Sequence, residues 1–383
     1  MAGLYDNHLW RLLLWIVQWF VWSAVVVESS IATTILYVLT AAAIWWTPML
    51  SNLRYRKRQG VILVTGCDSG MGQATVVHLA KTQTPTNRYA HVFAACLHPQ
   101  ASREYFAQHL SLEEQQYVTV VPLDVTQDAS VQLVIQTIQA YQKQQQTQKG
   151  VPAQDVALTG LCMYHGIAYT GPAEYMPIEI YERQLQVNFL GFVRVIQYLL
   201  PLMKEQSQQG RIICTGTGGG SCSPCPPLLT AYMASKFATE AFVGCLRQEL
   251  YMTGSDIEVL MINPGFVKPT LLMEEGLKLT QAMWQHCERK WGGSKLAKER
   301  YGKLVEHFVR YSALQPGTHV SHICQAAEHA LLAPVPRSSY KVGVDSKVAP
   351  LVGMLPTGPR EVIARHGIYG KLSPTGTISG YRV

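Results

Sequence analysis

The chain has 383 residues, of which 48% are hydrophobic and 15% charged, with a formal net charge of +7. That length holds one large domain or two small ones, and the composition excludes a disordered chain while fitting a folded core joined to membrane segments. The positive charge is modest and spread out, save for Arg54, Arg56, Lys57 and Arg58, so nucleic acid is excluded as the natural partner.

Two apolar runs come first. Residues 9–27 are interrupted by Arg11, Gln18 and Ser23, whereas residues 31–50 carry no charge. A membrane-spanning helix needs about 20 apolar residues. Residues 1–53 therefore read as a membrane anchor with one or two transmembrane helices. Trp10, Trp15, Trp19, Trp22, Trp45 and Trp46 crowd the region, and several suit interfacial depth. Asp6 stands where a cleaved signal would need basic residues. The basic cluster after the second run sets that end on the cytoplasmic side, so residues 54–383 are expected to face the cytoplasm.

The soluble part opens with the apolar run Val61-Ile62-Leu63-Val64, then Thr65-Gly66-Cys67-Asp68-Ser69-Gly70-Met71-Gly72, then helical spacing from Gln73 to Ala80. A buried strand, a glycine-rich turn and a helix in that order make a phosphate cradle: glycines admit the backbone to a pyrophosphate, and the helix N-terminus offers N–H donors. Further strands are predicted at residues 90–97, 117–125, 158–164, 211–215 and 257–262. Val131 to Tyr141 has helical periodicity. The Gln- and Lys-rich residues 142–154 read as a solvated surface insertion. Strands alternating with helices predict an α/β fold, a doubly wound parallel sheet of Rossmann type. Its ligand edge, at the carboxyl ends of the strands, is expected to carry Asp68, Asp124, Gly166, Thr217 and Pro264-Gly265.

Tyr232-Met233-Ala234-Ser235-Lys236 starts a helix predicted to run to about Tyr251. Residues four apart share a helix face, and an ammonium beside a phenol favours the phenolate, giving a general base for an alcohol proton. Asn188 lies inside another helical pattern, where its side chain bends the helix, holds a water or faces solvent. Cys67, Cys96, Cys162 and Cys214 sit in or beside predicted core strands and read as buried free thiols. Cys222-Ser223-Pro224-Cys225 is a lone C-x-x-C without a second pair, so no metal is expected.

The glycine-rich turn, Leu123-Asp124-Val125-Thr126, Asn188, Tyr232 with Lys236, and Pro264-Gly265-Phe266 occur in order on the right elements. At this point the chain resembles the short-chain dehydrogenase/reductase family, from Val61 to about Val348. Tyr340 to Lys347 and Leu355-Pro356-Thr357 are similar to its branch of retinol, 17β-hydroxysteroid and 3-hydroxybutyrate dehydrogenases, whose members are often membrane-anchored. The resemblance implies that Tyr232 is the acid/base, that Lys236 lowers its pKa and bonds the nicotinamide ribose, and that Asn188 holds a water in a proton relay. It places Thr217 at the family's substrate-binding serine, with Ser221 and Ser223 as rivals because the loop is longer here. It also implies cofactor contacts from Gly66, Asp68, Ser69, Gly70, Met71, Gly72, Asp124, Val125, Gly166, Lys236, Pro264, Gly265 and Val267. Two departures stand out. Met163-Tyr164-His165-Gly166 replaces the family's Asn-Asn-Ala-Gly, which removes side-chain bonds that brace the sheet, and Cys214 replaces a usual asparagine.

Asp68 would repel a 2′-phosphate, and no arginine follows Cys96, so NAD is the expected cofactor and NADP the alternative. Residues 267–315 are expected to form a substrate lid, apolar enough for a lipid-like alcohol. The expected activity is hydride transfer between a nicotinamide cofactor and a lipophilic alcohol or carbonyl, at a membrane of the endoplasmic reticulum, with a homo-oligomer as an option. The alternatives are an inactive nucleotide-binding scaffold, motivated by residues 163–166, and an NADPH-dependent keto-lipid reductase.

Overall fold

The computed structural model describes residues 60–82, 91–206, 209–218, 220, 225–268, 285, 295–314 and 317–363. The expected anchor, Ser221, Ser223 and most of the expected lid lie outside the described residues. The chain divides into two compact units, one of Lys57–Leu331 with Arg337–Val383 and one of Met1–Arg56 with Leu332–Pro336. The first is the unit described below.

Its centre is a seven-stranded parallel sheet. The strands are β1 (Val61–Thr65), β2 (His91–Cys96), β3 (Val118–Pro122), β4 (Leu158–Met163), β5 (Arg211–Thr215), β6 (Glu258–Pro264) and, after a small pair β7 (Val267–Lys268) and β8 (Thr318–His319), β9 (Ser339–Val342). The order β3-β2-β1-β4-β5-β6-β9 is that of a doubly wound sheet. β1, β2 and β5 are buried at every residue, as expected for a sheet covered on both faces. The order reverses between β1 and β4, which opens a crevice at their carboxyl ends.

The covering helices are α1 (Gly70–Lys81), α2 (Pro99–His109), a short α3 (Leu112–Gln115), α4 (Asp128–Lys149), α5 (Ile178–Leu185), α6 (Gly191–Gln206), α7 (Thr230–Met252), α8 (Lys295–Leu314), α9 (Ser321–Leu332), α10 (Val344–Gly353) and α11 (Thr357–Ile363). One core lies between the sheet and α4, α6 and α7, where Phe93, Ile138, Phe192, Ile196, Leu199 and Val243 meet.

Three findings refine the sequence reading. Residues 142–149, expected in a surface insertion, continue α4 to Lys149, and Gly150 ends it in a left-handed conformation (φ +63°). Gln142 is buried, donating to Val156 O at 2.8 Å and exchanging two hydrogen bonds with Gln206, so glutamines that look solvated in sequence tie α4 to α6. Second, Asn188 lies in a π-helical turn, Gln186–Leu190, between α5 and α6. Third, Ile178–Gln206 is the described helical run long and apolar enough to cross a membrane, but Phe192, Val195, Ile196 and Leu199 face the sheet, which makes it a core helix.

Candidate active site

The glycine-rich turn is tight enough to explain its glycines. Gly66 has φ +72°, and a Cβ on Gly72 would lie 2.3 Å from Gly66 O. The first turn of α1 carries no acidic residue, and no side chain caps its N-terminus. Its early N–H groups thus face the crevice with the positive end of the helix dipole. Asp68 reaches across to the end of β2, where its carboxylate accepts Leu97 N–H at 3.0 Å and His98 N–H at 2.6 Å. Asp124 accepts from both the N–H and the hydroxyl of Thr126, shaping the turn after β3. Val125 packs below it, against Gly191.

On the other side of the crevice, helix α7 presents Tyr232 and Lys236. The two were expected to meet, with the ammonium lowering the phenol. The structure corrects that expectation. Lys236 Nζ donates to Thr215 O at 3.0 Å and lies 5.9 Å from the Tyr232 ring centre. Burial dominates both groups: the phenol is pushed up to about 12, against a smaller lowering by a hydrogen bond from Thr217, and the ammonium is pushed down to about 8. That hydrogen bond sets Thr217 beside the phenol.

Asn188 is fully buried, and its side chain is largely committed. Its Oδ1 accepts Ile167 N–H at 2.8 Å, and its amide donates to Ile167 O at 2.8 Å and to Ser235 Oγ at 3.0 Å. Both amide protons are used, so the side chain clamps the loop after β4 to α7 instead of offering a proton to a water. Gly166 fits between this clamp and the lysine: a Cβ there would sit 3.3 Å from Asn188 Oδ1 and 3.6 Å from Lys236 Nζ.

The loss of the Asn-Asn pair is also corrected. His165 Nδ1 pairs with Thr65 Oγ1 at 2.7 Å, bridging the carboxyl ends of β1 and β4. Thr215 Oγ1 donates to Met163 O at 2.8 Å, bridging β4 and β5. The sheet edge is therefore braced by different residues. Burial, then the Lys236 charge, holds the imidazole down to about 3, so it is neutral and its bond to Thr65 does not titrate near neutral pH. Cys214 in β5, Cys162 in β4, Cys96 in β2 and Cys67 just after β1 are all buried.

The residue that sequence reasoning left out of the site is Asp345. Its Oδ2 accepts Phe266 N–H at 2.7 Å, while Gly265 N–H donates to Val342 O at 2.9 Å. A Cβ on Gly265 would overlap the Asp345 carboxylate. Asp345 thereby fixes the loop of Pro264 and Gly265, with Val267 following in β7. Only the pairing of β9 with β6 brings it there, and no local spacing signals that. Leu228, four residues before Tyr232, has φ +67°, a strained value for a side chain that is buried against Val305 and Phe308 of α8. Glu174 meets α8 again through Arg300 and Tyr301. The described helix of the expected lid, α8, is thus fastened to the loop that precedes the candidate base.

Residues 60–279 match the family described as short chain dehydrogenase. The chain belongs to that family. It is accordingly an NAD(P)-dependent alcohol dehydrogenase or reductase. Human retinol dehydrogenase 16 is 30% identical over 77% of this chain and 86% of its own length. The 3beta-hydroxysteroid dehydrogenase dhs-16 of Caenorhabditis elegans is 28% identical over 85% and 79%. Among solved structures, a short chain dehydrogenase/reductase from Burkholderia phymatum in complex with NAD aligns with TM-score 0.57 and 19% identity, over 85% of this chain and all of that one. The bare α1 N-terminus and the glycines at 66, 72 and 265, where a Cβ would collide with backbone or with Asp345, fit a dinucleotide laid along the crevice.

Proposed function

We propose that this chain is a membrane-anchored dehydrogenase of lipophilic alcohols, of the retinoid, hydroxysteroid or hydroxy-lipid class, that uses NAD in preference to NADP. The observation that carries the chemistry is the hydroxyl pair of Thr217 and Tyr232, with Lys236 one helical turn along α7. A bound nicotinamide supplies the hydride acceptor. Tyr232 must first give up its own phenol proton, against the burial that favours keeping it. As the phenolate, eased by the Thr217 hydrogen bond, it takes the substrate's hydroxyl proton, and Thr217 donates to the substrate oxygen as negative charge develops. Lys236, pushed down to about 8, exchanges its own proton near neutral pH and keeps a cation beside the loop of Gly166.

The NAD preference rests on Asp68. Its carboxylate already occupies the N–H groups of Leu97 and His98, donors that a 2′-phosphate would otherwise use, and it adds a like charge. The lipophilic substrate is supported by the apolar packing of α8 on Leu228 and by relatives whose names specify retinol and a steroid. The anchor is supported by residues 9–27 and 31–50. The Thr65–His165 bond, which joins the sheet edge where the Asn-Asn pair is missing, supports the enzyme reading over the scaffold alternative.

The test is turnover by purified full-length chain on retinol, hydroxysteroids and 3-hydroxy acids with each cofactor, beside Tyr232→Phe. Oxidation of a lipophilic alcohol with NAD, lost in the variant, is expected. Turnover confined to small 3-hydroxy acids would overturn the substrate class, and tighter NADP binding would overturn the cofactor choice.

A further inference from the structure

Helix α10 is inside out. Its inner side carries the buried residues Ser346, whose hydroxyl donates to Asn263 O at 2.6 Å, and Pro350. Its outer side carries Val344, Val348 and Leu351, 77%, 48% and 63% exposed, and Met354, just past its end, is 77% exposed. Positions 344, 348 and 351 repeat as one helical face. After the turn, α11 adds Val362 and Ile363 to the exposed apolar residues. A helix facing only water carries the opposite pattern.

The charges around this ridge are mostly positive. Lys341 and Lys347 are exposed and Arg360 is partly so. Of the acidic residues, Asp345 points its carboxylate inward to Phe266 N–H, which leaves Glu361. An apolar ridge with a cationic rim is the chemistry of a helix lying in a membrane interface.

We propose that α10 and the turn into α11 rest on the surface of a phospholipid bilayer with anionic headgroups, the ridge at the headgroup–acyl boundary and the lysines among the phosphates. This rests on the reading that residues 31–50 anchor the chain. In sequence only residues 51–60 separate that run from β1, a stretch of about 10 residues that reaches at most ~35 Å. Through Asp345 and Ser346, the docked helix also carries the loop of Pro264 and Gly265, which places the carboxyl edge of β6 next to the lipid. A lipophilic alcohol then reaches the site from the bilayer without crossing water.

The test uses the full-length chain with a fluorescent amino acid in place of Leu351, mixed into phosphatidylcholine–phosphatidylserine vesicles with and without brominated acyl chains. The same probe in place of Leu133, an exposed apolar residue of α4, is the control. Flotation reads the anchor, and quenching reads α10. Flotation with most of the emission lost at position 351, and little at 133, is the expected result. Flotation without quenching at 351 would overturn the docking and leave the anchor standing. Failure to float would overturn both. In a second arm, Leu351→Glu with Met354→Glu should leave flotation and cofactor affinity unchanged and raise the KM for a vesicle-borne alcohol several-fold. An unchanged KM would count against delivery from the bilayer.

Discussion

Lys236 stores a cost that pH can release. Its side chain is 4% exposed, and burial takes its ammonium from 10.5 down to about 8. Between those values the unfolded chain keeps a proton that the folded chain has given up. Stability must therefore rise with pH through that window, by about 1.4 kcal/mol per pH unit and by about 3 kcal/mol in all. Below about 8 the whole cost is borne. Lys236→Met preserves length and volume and abolishes this slope. At neutral pH its net gain is smaller than 3 kcal/mol, because Thr215 O loses its donor, worth ~1–3 kcal/mol if left unpaired. The variant is expected to be as stable as the parent or slightly more so near pH 7, and catalytically dead. Urea unfolding of the detergent-solubilised full chain, parent and variant, at about pH 7, 8.5 and 9.5 measures the difference, which cancels the titration of shared groups. A parent-minus-variant stability that stays constant over this range would refute the reasoning, since the ammonium would then bear no burial cost.

Tyr232→Phe should lower kcat by at least about a hundredfold with little change in NAD affinity by titration, as expected for loss of a general base. Thr217→Ala should cost about a hundredfold and Thr217→Ser much less; if Ser221→Ala or Ser223→Ala is the damaging change, the hydroxyl role belongs to the longer loop. Gly72→Ala should weaken cofactor binding and lower Tm despite alanine's better helix propensity, because the new Cβ would lie 2.3 Å from Gly66 O. Asp68→Ala should shift the affinity ratio toward NADP, and an unchanged ratio measured with both cofactors would remove Asp68 from the preference.

The sheet was legible because its strands are buried on both faces and announce themselves as unbroken apolar runs: Arg211–Thr215 has the boundaries read from sequence. The turn at Gly66–Gly72 was legible because local spacing carries it, and the same kind of spacing set Tyr232 and Lys236 one turn apart on a helix. What stayed hidden was long-range. Residues 142–149 are helical because Gln142 finds partners at Val156 and Gln206. Asp345 reaches Phe266 only once β9 lies beside β6. The phenol pKa followed burial, a property of the whole fold, instead of the i+4 neighbour that sequence offers.

The bond between Thr65 and His165 has a consequence for how such chains are found. A search that scores the letters Asn-Asn-Ala-Gly discards this chain at its fourth strand. A search that asks whether the ends of β1 and β4 are joined by a buried, non-titrating hydrogen bond retains it. Proteins set aside as degenerate because a signature tetrapeptide is missing can be sorted again on that criterion. Those that rebuild the strap from other side chains keep the sheet edge joined, and for them the missing letters alone are no sign of a loosened fold.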